Sequence, residues 1–374
     1  MSTGTSTARV QRSSRSARRI TDVRHFRSLP VIVIRRMLGN WRLLTSVIIG
    51  TLIAGAILAS TVIYADAIRD LGLAHALEAE SEHDLDVRVA QTNIAIRAPL
   101  YEQSRERIDR AVAASLGAAS GAVVRQGSTA TFYPSAPGSV PDLDNDARPR
   151  ANLRFRSEIT DHVSLTAGAL PSARGTASGG ALEVLLGTET GRENGIGIGD
   201  RFELHPSWST DIVPLTVEVV GLIEATDLGA RYWGGETGLL DSQTASWPTY
   251  LFYVPQETFF GAPAQAMPSM TARYLDVYQV DRERLNSRAA EGVAFALERL
   301  ETRLGATETL LRVDTDLPEV LREFDDKLFF VRIPLFVLLL QIGGVVAYYL
   351  LVVSTMLLER QAEEIATLRS RGAT

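Results

Sequence analysis

Cysteine is absent from the 374 residues, so the chain has no disulfide framework, no thiolate metal site and no cysteine nucleophile. Lysine occurs once, at Lys327, directly after Asp326. A phosphate-binding loop of the form G-x-x-x-x-G-K-[ST] needs a lysine after a glycine, so any ATP that drives this chain must be hydrolysed by another polypeptide. Histidine is sparse: His25, His75, His83, His162 and His205 are scattered without H-E-x-x-H or another close metal spacing. They read as surface or local hydrogen-bonding residues. His83-Asp84 and Asp161-His162 would make an acid–base pair only if the fold brought them together. No G-x-S-x-G elbow is present. Gly195 to Asp200 (GIGIGD) precedes a predicted strand and does not join a strand to a helix, so it reads as a turn and not as a dinucleotide loop. No catalytic, cofactor-binding or metal-ligating residue is assigned, and no enzyme activity is expected.

What is present is a strongly uneven charge. Residues 1–42 hold ten arginines against one acid, Asp22, a segment charge of +9. With −6 for the whole chain, the remainder sums to −15. On a soluble protein such an arm would suggest nucleic acid. Here it runs into an apolar stretch, where positive charge marks the cytoplasmic side of a membrane. A membrane partner is expected and nucleic acid is not.

Leu43 to Ile63 contains no charged residue, and 21 residues at roughly 1.5 Å each cover a ~30 Å hydrocarbon core. The small-x-small tripeptide Ala65-Asp66-Ala67 has the form of a signal-peptide cleavage site. The apolar run is longer than such peptides use and 42 residues precede it, which favours an uncleaved span. A second uncharged run covers Ile333 to Leu358, with Gly343 and Gly344 near its middle; small residues there could allow close helix packing, or could be neutral. The expected organisation is a basic cytoplasmic segment (1–42), a first span (43–65), an extracytoplasmic domain (66–327), a second span (328–358) and a cytoplasmic helix (359–374). The fold class is thus a membrane protein with two transmembrane α-helices flanking an α+β domain, in the plasma membrane with its N-terminus inside.

Within the domain, Glu102 to Leu116 and Glu283 to Leu304 place apolar residues on one face at helical spacing. Leu182 to Leu186, Arg201 to Leu204, Leu215 to Ile223 and Tyr250 to Val254 are short apolar runs bounded by turn formers and predict strands. Gly138 to Arg150 and Gly229 to Trp247 read as surface loops.

The tail, Leu357 to Thr374, predicts an amphipathic helix. Leu358, Ala362, Ile365 and Leu368 fall on one stripe, with Glu359, Arg360, Glu363, Glu364 and Arg369 around the rest. Gly372 can end it in a left-handed conformation. Without further information it could equally be a juxtamembrane anchor.

This tail resembles the E-R-x-x-E-I-A-x-L-R-x-x-G-A segment of the FtsX-like, or MacB-type, permease family. The matching residues are Glu359, Arg360, Glu364, Ile365, Ala366, Leu368, Arg369, Gly372 and Ala373, with one position extra between Arg360 and Glu364. Gly168-Ala-Leu-Pro171, Glu183 to Gly187, Gly199 to Phe202 and Val217 to Gly221 are similar, in that order, to the MacB-type periplasmic core. The resemblance implies an ABC-transporter permease subunit acting on an extracytoplasmic substrate and paired as a dimer or pseudo-dimer. A separate ATPase would dock on a coupling helix built from Glu359, Arg360, Glu364, Ile365, Leu368, Arg369 and Gly372. Family members continue into at least two further spans, so a fragment, a truncated gene product or a split gene is expected. The rival expectation is a two-pass sensor with an outer ligand-binding domain.

Overall fold

The computed structural model describes residues 41–172, 180–236, 238–241, 247–306 and 310–370. The basic arm, Gly372 and several tail side chains (Arg360, Glu363, Glu364, Ile365, Leu368, Arg369) lie outside the described residues. The chain divides into two units, residues 65–332 and the pair of segments before and after them.

The larger unit is built on eleven strands: β1 (Val87–Ala95), β2 (Ser120–Thr129), β3 (Phe132–Ser135), β4 (Arg150–Arg156), β5 (Val163–Gly168), β6 (Leu182–Gly187), β7 (Arg201–Pro206), β8 (Leu215–Ala225), β9 (Thr249–Tyr253), β10 (Thr271–Val280) and β11 (Leu311–Asp314). They hydrogen-bond in the order β11-β1-β10-β2-β4-β3-β7-β8-β6-β9, with β5 on β8. Because β9 also pairs in parallel with β4, strands β4, β3, β7, β8, β6 and β9 close into a ring. Their alternate residues point inward: Leu182, Val184 and Leu186, Val217 and Val219, Tyr250 and Phe252, and Ala151, Leu153 and Phe155 make one core. Strands β2, β10, β1 and β11 extend from that ring as an antiparallel sheet.

One face of this extension is covered by helices. They are α1 (Trp41–Glu78), through its C-terminal part, α2 (Ala98–Leu116), α3 (Ala290–Glu298), α4 (Leu300–Gly305) and the start of α5 (Leu317–Ser370). Leu73 and Leu77 of α1 are buried with Ile108, Val112, Val293, Leu297, Leu300, Leu321 and Phe324 in a second core. Helix α2 is entered through Pro99 and ended by Gly117 at φ 58°. The helix expected over Glu283 to Leu304 is two helices meeting at Arg299. It starts later because a short turn at Arg282–Arg284 is capped by Asp281, and the Asn286 side chain accepts from the Ala289 amide at 2.8 Å.

The second expectation to be corrected concerns Gly229 to Trp247. Its described part is not a surface loop. Tyr232, Trp233, Leu239 and Leu240 are buried against Val124, Leu185, Leu251, Leu275 and Val277 on the outer faces of the strands. Turn formers dominate the composition, but four large apolar side chains supply the burial. Asp86, 1% exposed, anchors the segment: it pairs with Arg231 and accepts from the Val280 amide at 3.0 Å.

In the smaller unit, α5 carries Phe336–Met356. This is the one stretch among the described residues that is long and apolar enough to cross a membrane, with a mean hydropathy of 2.3 and none of it buried. The apolar part of α1 that is described, Ile48–Ile57, is shorter. The two helices meet where a methyl added to Gly50 would lie 3.1 Å from Tyr349 Cε1. Gly343 and Gly344 have nothing within 4 Å of where such a group would sit, so the small residue that permits close approach is Gly50.

Candidate functional site

The tail begins inside an uninterrupted element. Helix α5 spans 54 residues from Leu317 to Ser370, roughly 80 Å at 1.5 Å per residue. Pro318 stands in its first turn, where the missing N–H costs nothing. Pro334 lies inside it and removes one backbone hydrogen bond. Beyond the apolar stretch the backbone stays helical through the candidate coupling positions Glu359, Arg360, Glu364, Ile365, Leu368 and Arg369. Leu358 is 64% exposed, and Glu359, Ala362 and Ala366 are exposed as well. The start of the expected apolar stripe is therefore open, and a helix end of mixed charge with an open apolar edge can receive a partner surface.

The other candidates resolve as local structure. Gly195 to Asp200 is a turn: Gly195 caps a helix at φ 66°, and Asp200 Oδ2 accepts from the Gly197 amide at 2.7 Å just before β7. His162 stacks on Tyr232 at 3.6 Å. His83 lies beside Gly235 and leaves Nδ1 buried without a partner. No hydrogen bond or ion pair links His83-Asp84 to Asp161-His162 among the described residues. Nor does any group of three metal-ligating side chains gather there.

Sequence reasoning missed a buried polar cluster between α2 and the sheet. Arg125 donates to both carboxylate oxygens of Asp109 at 2.9 Å, and Tyr278 Oη donates to Asp109 Oδ1 at 2.6 Å. Next to this pair, Asp276 is almost fully buried with Oδ1 unpartnered, as are the hydroxyls of Tyr101 and Tyr274. Burial, with repulsion from Asp109, lifts the Asp276 carboxyl to about 7, against the opposing pull of Arg125 and Arg105. Burial likewise pushes the Tyr101 and Tyr274 phenols up. The only sequence signal was polar residues at inward positions of strands, as in Tyr274-Leu-Asp276-Val-Tyr278.

No protein-family profile and no curated protein matches the sequence. Among solved structures, the chain is similar to the periplasmic region of MacB from Actinobacillus actinomycetemcomitans, at 12% identity and a TM-score of 0.30, over 65% of this chain and 94% of that one. It is also similar to a domain of a permease-named protein from Porphyromonas gingivalis, at 12% identity and a TM-score of 0.28, over 62% and 88% of the two chains. At those scores neither likeness carries the functional reading, which rests on the chain's own residues.

Proposed function

We propose that this chain is a permease-type subunit of an ABC transporter, with residues 66–327 outside the membrane and a separate cytoplasmic ATPase docked on residues 359–374. The observation that carries the reading is α5: one helix that starts in the strand-rich unit, contains a stretch of membrane-crossing length and continues as helix to Ser370. The absence of a phosphate-binding loop in the sequence fits a division of labour in which ATP is hydrolysed elsewhere.

In this reading Leu43 to Ile63 of α1 forms the first span, the ten arginines before it hold the N-terminus inside, and the subunit acts paired. ATP-driven movement of the partner displaces the tail, and the hydrogen-bonded backbone of α5 passes that displacement outward to work on an extracytoplasmic substrate. Glu359, Arg360, Glu364, Ile365, Leu368, Arg369 and Gly372 would make the contact with the ATPase.

The test is co-purification of the detergent-solubilised chain with and without residues 359–374. Association of a nucleotide-hydrolysing partner with the full chain, and its loss on deletion, on Glu364→Arg or on Gly372→Pro, is the expected result. Each variant should unfold at the temperature of the parent, because residues 65–332 hold their own cores. Capture of a kinase-like partner, or of none, sinks the permease reading.

A further inference from the structure

On the sheet face opposite the helices, three strands bring two arginines to either side of a serine. Register places Arg273 of β10 opposite Ser128 of β2, and Ser128 opposite Arg154 of β4. Neighbouring strands lie roughly 4.8 Å apart, so the two arginine Cα atoms are about 10 Å apart. Both extended side chains can therefore meet over the serine hydroxyl. The three residues line a cavity of about 390 Å³ together with Gln126, Asn93 and Glu236.

Three features separate this cavity from an ordinary surface dent. The Arg273 side chain is exposed and has no hydrogen-bond or ion-pair partner among the described residues. Arg154 is half-buried beside Tyr253, and its Nε, like that of six other arginines, is buried without an acceptor among the described residues. Asn93 stands at a bulge in β1 with φ 59°, a left-handed conformation that places this residue at the cavity wall. An adjoining recess of about 230 Å³ shares Arg273 and Glu236 and adds Arg312. Arg88 and Asp314 also line it and pair at 4.0 Å, so four arginines face the two carboxylates of Glu236 and Asp314.

The geometry points to a binding site for a phosphoryl group. A tetrahedral oxyanion can accept from two guanidinium forks and a hydroxyl together, whereas a planar carboxylate fills one fork. The group could be carried on a lipid headgroup or as a free phosphate. This inference does not depend on ATPase docking, since every residue it uses lies between 93 and 312.

Calorimetric titration of the full chain in a neutral detergent, in phosphate-free buffer of low ionic strength, tests it. One arm uses inorganic phosphate and the other a short-chain phosphatidylglycerol below its micelle concentration. Saturable binding in at least one arm is expected. Tighter binding of phosphate assigns the site to soluble phosphates, and tighter binding of the lipid assigns it to headgroups. Arg273→Gln should weaken binding roughly tenfold, the loss of a hydrogen bond to a charged group, with no change in thermal unfolding. Arg154→Gln should weaken it as well, and Glu236→Gln should strengthen it by removing a like charge. Absence of binding in both arms, unchanged binding by Arg273→Gln, or weakening by Glu236→Gln overturns the proposal.

Discussion

Asp276 lies in the middle of β10 with its carboxyl turned to the helix-covered face, next to an ion pair it does not join. In the unfolded chain this group ionises near its ordinary 3.8, and in the folded chain at about 7. The folded state therefore holds the proton more tightly. Its contribution to stability is fully present below pH ~4, falls as the pH rises, and is lost above about 7. Asp276→Asn, which resembles the protonated form, should stabilise the protein at pH 8 by on the order of 2 to 4 kcal/mol and change little at pH 4. Thermal unfolding followed by tryptophan emission, with Trp233 buried in the fold, measures it. Equal effects at both pH values would show that the carboxyl is not perturbed. An aspartate in a strand gives no sign in the sequence of what faces it. That Asp109 and Arg125 face Asp276 follows from a strand pairing of Asp276 with Arg125, 151 positions apart (276 minus 125).

Among the elements, legibility followed the polarity of the strands. β6, β7, β8 and β9 were readable because apolar residues such as Val184, Leu204, Val219 and Phe252 recur at short spacing between turn formers. β1, β2 and β10 were not, since Gln91, Arg125 and Asp276 put polar groups where a period-two pattern expects apolar ones. β4, with Ala151, Leu153 and Phe155 alternating with polar residues, carried the pattern and was still passed over. Gln91 is nonetheless buried, bonded to Ser104 at 3.0 Å. The segment at 231–240 was misread because burial there depends on Arg231 reaching Asp86 across 145 positions. Arg231→Met is expected to leave Asp86 buried and unpaired, costing about 3 kcal/mol, and to expose this segment to proteases before the rest of the domain. Cleavage spread evenly over residues 65–332 would refute an anchoring role. The tail's helical continuity was likewise readable from its spacing, whereas what covers its apolar stripe cannot be written in a single chain.

For the whole molecule, the lack of native cysteine makes the proposed topology directly measurable. Val140, 83% exposed on the strand-rich unit, and Ser370 at the end of α5 can each be replaced by cysteine without removing a native thiol. A membrane-impermeant maleimide should label Val140→Cys in intact cells and Ser370→Cys only after permeabilisation. Labelling of both in intact cells would overturn the two-span arrangement. The closure of six strands into a ring was not foreseeable from hydropathy. That closure depends on β9 lying parallel to β4, a pairing between residues nearly 100 positions apart.

The pairing of β1 with β11 has a cost in time. Gln91 meets Leu311, 220 positions later (311 minus 91). At about 5 to 20 residues per second of synthesis, roughly ten to forty seconds separate their appearance. β10 completes its own strand only shortly before, so for most of that interval both edges of β1 stay open to any strand that arrives first. A chain released after Gly305 should accordingly remain protease-sensitive and prone to associate. One released after Arg332, with β11 and the first turns of α5 in place, should resist digestion. A nascent copy of this protein therefore keeps a strand edge open for longer than its size alone would suggest.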